Sequence, residues 1–326
     1  MQDYKPILAR ATLENSKIIT EFQYIMAKQT EGKELNQQEV LKAVDYLAKN
    51  PDYGFFLMAY DQEQQEKKQE IGSLLITYAH EVFQNQPVWW FQSVYVDEKF
   101  RGKGVFKQMF QDVEKQVSHL QYPLKLYVET ENERAMKVYQ KMGMYDANEV
   151  YLEDDFYFED KIKFKENQTL HFKTLDYKNQ EEINELLTQN GEFVSQFGQI
   201  CVDQDKLKQS IEHLSKQPGQ GSIIQIKNQE QKLIGSVGIF YEFSDWRNGI
   251  MVYISDVRLN QKHFDSEEKL IDFYNGLFYW CKNINKFNDD LPLTCLRVVI
   301  DEKQAACNLI KKTGMIEAHY RVYMKK

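Results

Sequence analysis

SVYVDEKFRGKGVF, residues Ser93–Phe106, runs from a strand-like tract through two glycines and two basic residues into an amphipathic segment. Upstream, QPVWWFQSVYV (86–96) has the aromatic and β-branched make-up of a long strand. Downstream, Val105, Phe106, Met109, Phe110, Val113 and Val117 fall at close to helical spacing, which predicts a helix over Val105–Val117. A glycine turn between strand and helix leaves backbone amides unshielded. The first helical turn adds N–H groups without intrahelical partners and a dipole end that favours an anion. Arg101 and Lys103 place positive charge at the same point, so a pyrophosphate is the natural ligand. A plain strand–turn–helix connection is the alternative. The chain lacks G-x-x-x-x-G-K-[ST], and Gly102-Lys103-Gly104 has no third glycine at Lys107, which excludes the triphosphate loop and the dinucleotide fingerprint. Phe106 stands where a small residue would be expected.

Around this stretch the first half reads as alternating elements. ILARAT (7–12) is a strand. Helices follow over Glu14–Lys28 and Gln38–Lys49, the second capped by Asn36 and stopped at Asn50-Pro51. GFFLMAYD (54–61) and EIGSLLITYA (70–79) are strands, joined by a charged turn. After the 105–117 helix come a strand LKLYVET (124–130), a helix Glu133–Lys141 and a last strand MYDANEVYLE (144–153).

The second half repeats that order. At one constant offset, Ile71–Ser73 recur as Ile234–Ser236, Ile76 as Ile239, Tyr78 as Tyr241, Asn85 as Asn248 and Val94 as Val257. Further on, KMGMYDANEVYLE (141–153) aligns with KTGMIEAHYRVYMKK (312–326), Gly143 on Gly314, with a few extra residues near NKFNDD (285–290). LNQQEVLKAVDYLAKNP (35–51) resembles VDQDKLKQSIEHLSKQP (202–218). Two copies of one α/β unit are expected, joined near 153–168.

Composition sets the broad class. The chain has 326 residues, 42% hydrophobic and 13% aromatic, enough for two domains with cores of their own. A net charge of −8 disfavours non-specific nucleic-acid binding and mildly favours cationic partners such as amines. No apolar run is long enough to span a membrane, and MQDYKPILAR resembles neither a signal peptide nor a presequence. Cys201, Cys281, Cys295 and Cys307 form no CxxC pair, so reduced buried thiols and no metal site are expected. A cytoplasmic protein without membrane insertion is the expectation.

SVYVDEKFRGKGVF, followed by LYVETENERAMKVYQKMGM (126–144), resembles the GCN5-related N-acetyltransferase (GNAT) family. Arg101 and Gly104 match its strand-(R/Q)-x-x-G-x-(G/A) motif. Asn132, Ala135, Tyr139 and Gly143 match N-x-x-A-x-x-x-Y-x-x-x-G. The resemblance covers about residues 4–152, and a TEGK-E-L tract (30–35) and Phe106 match a subgroup of the family. It implies an α/β (α+β) protein of two tandem GNAT-like domains, 1–155 and 156–326, each a mixed, splayed sheet flanked by helices. It implies acetyl-CoA as cofactor, with pantetheine along Val94, Tyr95 and Val96 and pyrophosphate on Arg101, Gly102, Lys103, Gly104, Val105 and Phe106. Asn132 would cap its helix and touch the pantetheine arm.

The implied activity is transfer of acetyl to an amine, a small amine or a protein amine, by direct attack in a ternary complex. The amine must shed a proton first. The oxyanion needs a donor, the amide of Tyr95 or of Val96. Tyr139 suits the acid that protonates the departing thiolate, or is a helix-face packing residue. Glu129 is the base candidate, with Glu31, His80 or a water chain as alternatives. Gln92 could position the amine. Trp89 and Trp90 point to opposite faces; Trp90 is assigned to the acceptor pocket, against a core role for both.

In the second copy Arg101 maps to Phe264, Asn132 to Lys303 and Tyr139 to Ile310, and Asp265, Glu267 and Glu268 occupy the helix start. That copy should not bind acetyl-CoA. It keeps YEFSDWRNG (241–249), which matches the subgroup. The tract reads first as a structural turn, alternatively as part of the first copy's acceptor pocket. The C-terminal domain is also a candidate surface for protein partners. The rival to the enzyme is a non-catalytic subunit that keeps the fold as a scaffold.

Overall fold

The computed structural model describes residues 4–62, 69–198, 202–284 and 291–326. The charged turn at 63–68, Cys201 and the 285–290 tract lie outside the described residues.

The first half contains β1 (Ile7–Arg10), α1 (Ser16–Glu31), α2 (Gln37–Lys49), β2 (Gly54–Tyr60), β3 (Glu70–Glu81), β4 (Gln86–Val96), α3 (Val105–Val117), β5 (Leu124–Glu129), α4 (Glu133–Lys141) and β6 (Tyr145–Asp154). The second contains β7 (His171–Thr174), α5 (Gln180–Gln189), β8 (Val194–Ser195), α6 (Gln204–Lys216), β9 (Gly221–Lys227), β10 (Leu233–Ser244), β11 (Gly249–Leu259), α7 (Glu267–Lys282), β12 (Leu293–Asp301), α8 (Ala305–Lys312) and β13 (Ile316–Lys325).

Local chemistry explains most boundaries. Asn36 accepts from the amides of Gln38 and Glu39 and so starts α2. The strand expected to reach Thr12 stops at Arg10, because Thr12 instead accepts from the Glu14 amide and opens the turn into α1. α1 runs on to Glu31, beyond the expected Lys28, and ends where Gly32 takes a left-handed conformation (φ 62°).

The strands form one mixed sheet in the order β1-β2-β3-β4-β5-β13-β6-β12-β11-β10-β9-β7, with β8 attached to β11. By the sequence repeat, β12 is the counterpart of β5 and β13 that of β6. Each half therefore lends its last strand to the other: β13 pairs with β5, and β6 pairs with β12, with β13 and β6 side by side. A chain division at 155/156 separates the repeats but not the sheet.

The faces of the two halves also meet. One apolar core joins Phe22 and Met26 of α1 to Tyr241, Phe243 and Trp246 of the second half. Thr77 donates to Glu242 at 2.6 Å, and Gln92 also donates to that buried carboxylate. His80 stacks on His213 (centroids 4.3 Å apart), and its Nε2 lies 3.1 Å from Ser210 Oγ. Burial and the neighbouring imidazole lower His80 to about 3. It is thus a neutral residue of the packing between halves, not the base considered above.

Candidate active site

The sheet opens where β4 and β5 part. Their parallel pairing covers only Trp89–Phe91 with Leu124–Leu126. Beyond it β4 stays with β3 and β5 stays with β13. The Val96 carbonyl accepts from Arg101 Nε at 2.9 Å, while the next amide, that of Asp97, donates to Ile71 on β3 at 2.9 Å. Successive residues of a strand point opposite ways. Val94 and Val96 therefore present their N–H and C=O to the opening, and Tyr95 turns its own toward β3. Of the two expected oxyanion donors, the Val96 amide faces the opening.

The R-G-K-G-V turn closes one end. Gly102 (φ +81°) and Gly104 (φ +84°) are both left-handed, and Gly104 caps α3. A Cβ at either would meet nothing within 4 Å, so the need for glycine is conformational rather than steric. Val105, Phe106 and Lys107 follow with first-turn amides that lack intrahelical acceptors. Arg101 also donates to Gln29 Oε1 at 2.9 Å, and the Lys103 ammonium sits 4.8 Å above the Phe100 ring. The resulting groove, about 520 Å³, runs from Val94–Val96 past the turn to Tyr139, with Met26 and Thr30 of α1 in its wall.

Phe106 is half-buried in this wall rather than enclosed in the core. Its ring meets Phe110 (6.3 Å) and the Tyr139 ring edge-on (5.8 Å, 74°). Asn132 caps α4 as expected, accepting from the Ala135 amide at 3.1 Å. That cap aims α4 so that Tyr139 borders both the groove and a second cavity. Burial pushes the Tyr139 phenol up to about 12, which keeps it protonated.

The second cavity, about 170 Å³, lies deeper in the splay. Gln92, Ser93 and Glu129 line it as first-half residues, and Asp245, Trp246, Arg247 and Arg297 come from the second half. Burial, and then the charge of Glu31, raise the Glu129 carboxyl. Glu31 itself pairs with Lys33 at 2.7 Å. The Gln92 amide group donates to Thr77 and Glu242, which leaves only its carbonyl for an amine. Trp90 is absent from this lining. It is 1% exposed and packs with Tyr151, Phe240 and Tyr253, so its assignment to the acceptor pocket is corrected to core. Trp89 packs on the other face against Phe55 and Tyr78.

The Tyr241–Gly249 tract has two structural roles. It forms the turn between β10 and β11, and it walls the first half's cavity. Trp246 Nε1 donates to Gln23 at 3.0 Å, Asn248 to Glu39 at 3.2 Å, and Arg247 forms an ion pair with Asp155. Asp245 is buried, accepts from Ser93 Oγ at 2.9 Å, and is raised by burial to about 6. In the sequence Asp245 and Arg247 belong to a tract that reads first as a turn and alternatively as part of the acceptor pocket, and Arg297 is not singled out. The retention of the tract in a copy that had lost its loop was the available signal.

The profile of the acetyltransferase (GNAT) family matches residues 19–144, a span that contains the splay, the glycine turn and Tyr139. Residues 19–144 are a GNAT domain. Among solved structures, a GCN5-related N-acetyltransferase from Sphaerobacter thermophilus is similar over 98% of this chain and 95% of its own, at 12% identity and TM-score 0.57. A tandem GNAT protein from the clavulanic acid biosynthesis pathway is similar over 98% of both chains, at 8% identity and TM-score 0.54. A possible acetyltransferase from Clostridium difficile 630 is 28% identical over 44% of this chain and 91% of its own, with TM-score 0.40. No curated protein matches. The similarity along the whole chain gives it the fold of tandem GNAT proteins.

The second half departs from the GNAT domain at each site position. Phe264 is buried against Phe273 where Arg101 would stand. Ser266 caps α7 by accepting from the Lys269 amide, and Asp265 pairs with Lys269 at 2.7 Å. Ile310, the counterpart of Tyr139, is fully buried. Val257–Leu259, the counterpart of the open Val94–Val96 edge, is covered by the chain itself: β8 pairs with Arg258 and Leu259. Cys281, Cys295 and Cys307 are buried free thiols. Among the described residues, no helix is long and apolar enough to cross a membrane.

Proposed function

We propose that the chain is an N-acetyltransferase that uses acetyl-CoA, with one active site in the GNAT half and an amine as acceptor. The observation that carries this is the unpaired Val94–Val96 edge, which leads directly to the glycine turn at the start of α3, while the same edge in the other half is filled. Acetyl-CoA supplies an activated thioester. The residues present fit it. Val94 offers its N–H and C=O as strand-type hydrogen bonds to a pantetheine amide chain, and the Val96 carbonyl, which accepts from Arg101, has a second lone pair to share. The first-turn amides of α3, with Arg101 and Lys103, suit a pyrophosphate. The Val96 amide faces the opening and can donate to an oxyanion. The Tyr139 phenol is held protonated and borders both the groove and the inner cavity, so it can give a proton to a leaving thiolate. The acceptor enters the cavity beyond Ser93, where the carboxylates of Glu129 and Asp245 favour a cationic amine.

The test is thermal melting with acetyl-CoA, followed by thiol release from a panel of amines. A raised midpoint and turnover are expected. An unchanged midpoint at millimolar acetyl-CoA would leave the scaffold reading instead.

A further inference from the structure

We propose that Asp245, a residue of the second half, is the general base for acetyl transfer in the GNAT half, which makes the retired copy part of the active site. The inference rests on the acetyltransferase reading above.

Position carries it first. The β10–β11 turn is fixed to the GNAT half at three points: Trp246 to Gln23, Arg247 to Asp155, and Asn248 to Glu39. This clamp puts the Asp245 carboxylate in the lining of the inner cavity, 2.9 Å from the Ser93 hydroxyl. Ser93 immediately precedes Val94, the first residue of the edge assigned to the pantetheine. The carboxylate therefore borders the space between the acetyl position and the acceptor.

Charge carries it next. The two buried guanidiniums of this cavity are already paired, Arg247 with Asp155 and Arg297 with Glu153. Among the described residues no ion pair reaches Asp245, so its charge is free to meet an ammonium. The other charged groups facing the cavity are Glu31 at the end of α1 and Lys33 just after it, which pair with each other, and Glu129 from β5. The phenols of Tyr127, Tyr139 and Tyr320 are all raised by burial and stay neutral around pH 7. Loss of solvent raises Asp245 to about 6, against the lowering effect of Ser93, backbone amides and Arg247. Such a group is ionised at neutral pH yet is a far better proton acceptor than an exposed aspartate. Glu129, the base expected from sequence, is only partly buried.

The proton balance is complete. Asp245 takes one proton from the ammonium. The freed nitrogen pair forms the C–N bond to the acetyl carbon as the C–S bond breaks. The second proton leaves the nitrogen as Tyr139 protonates the thiolate and is itself reprotonated. Amide and thiol depart, and the proton on Asp245 passes to solvent.

The test uses the full chain, acetyl-CoA, and whichever of 1,4-diaminobutane, 2-phenylethylamine and glycinamide the wild type acetylates fastest. Asp245→Asn keeps an oxygen to accept from Ser93. It is expected to show the wild-type thermal shift with acetyl-CoA, a kcat/KM lower by about 100-fold near neutral pH, and loss of the acid limb of the pH profile. Ser93→Ala, which removes a hydrogen bond to the charged form, should move that limb to higher pH. An Asp245→Asn enzyme with wild-type kcat/KM and pH profile would overturn the proposal while leaving the acetyltransferase reading intact. So would a limb that Ser93→Ala leaves in place, should Asp245→Asn not fold. A wild type that neither shifts with acetyl-CoA nor releases thiol would overturn both.

Discussion

The amide of Gln196 donates to the carbonyl of Val257 at 2.7 Å, closing the strand edge that its counterpart Val94 leaves open in the GNAT half. The second half thus fills with backbone the edge proposed to hold the cofactor in the GNAT half, and it also lacks the glycine turn. Acetyl-CoA should bind with a stoichiometry of one per chain, measured by titration calorimetry. Gly104→Val forces a β-branched residue into a left-handed conformation, a strain of about 1–3 kcal/mol. It should abolish that single event or weaken it at least tenfold. Two sites per chain, or unchanged affinity, would contradict this.

Tyr139→Phe should lower kcat by about 100-fold and leave the acetyl-CoA thermal shift in place, because the proposed role of the hydroxyl is to protonate the leaving group and not to hold the cofactor. With its phenol pushed up to about 12, Tyr139 stays protonated through the working range. The kcat profile should accordingly show no fall between pH 8 and 10 that the Phe variant lacks.

Phe106→Ala removes the ring against which Tyr139 packs. The half-buried position predicts a modest stability loss of about 1–2 kcal/mol. The larger effect should fall on kcat, since a freed Tyr139 samples unproductive rotamers. Chemical denaturation and kinetics on one preparation separate the two. A large stability loss with normal kcat would show that the ring serves only packing.

Asp245 should cost stability at high pH. Its carboxyl is raised from 3.8 to about 6, so the folded state prefers the protonated form. That preference stabilises the fold at pH below about 4 and is lost as pH rises through 6. Asp245→Asn should therefore gain stability relative to wild type between pH 4 and pH 8, by roughly 2–3 kcal/mol. Urea unfolding of both proteins at the two pH values measures the difference. A constant offset between them would contradict the burial account.

The glycine turn, Asn132 and Tyr139 were legible in the sequence because their chemistry is local. A left-handed glycine, a helix cap and an i to i+7 helical spacing all act within a few residues. Trp90 and His80 were misplaced for the opposite reason. Periodicity says that a residue faces one side of a sheet, not what covers that side. Here the second half covers it, with Phe240 and Tyr253 around Trp90 and with His213 on His80. Phe106 belongs between these cases: its helix face was predictable, its contact with Tyr139 was not.

By itself the sequence determined the repeat, the strand and helix order, the glycine turn in one copy and its absence from the other. Only the tertiary structure decided the exchange of β6 and β13. Backbone hydrogen bonds are alike for any strand, so two strands of repeated sequence can each fit either half, and the connection and packing select the partner. Only the tertiary structure, again, placed Asp245 beside Ser93. The burial that raises its carboxyl comes from elements far away in the chain, and no spacing of residues encodes it.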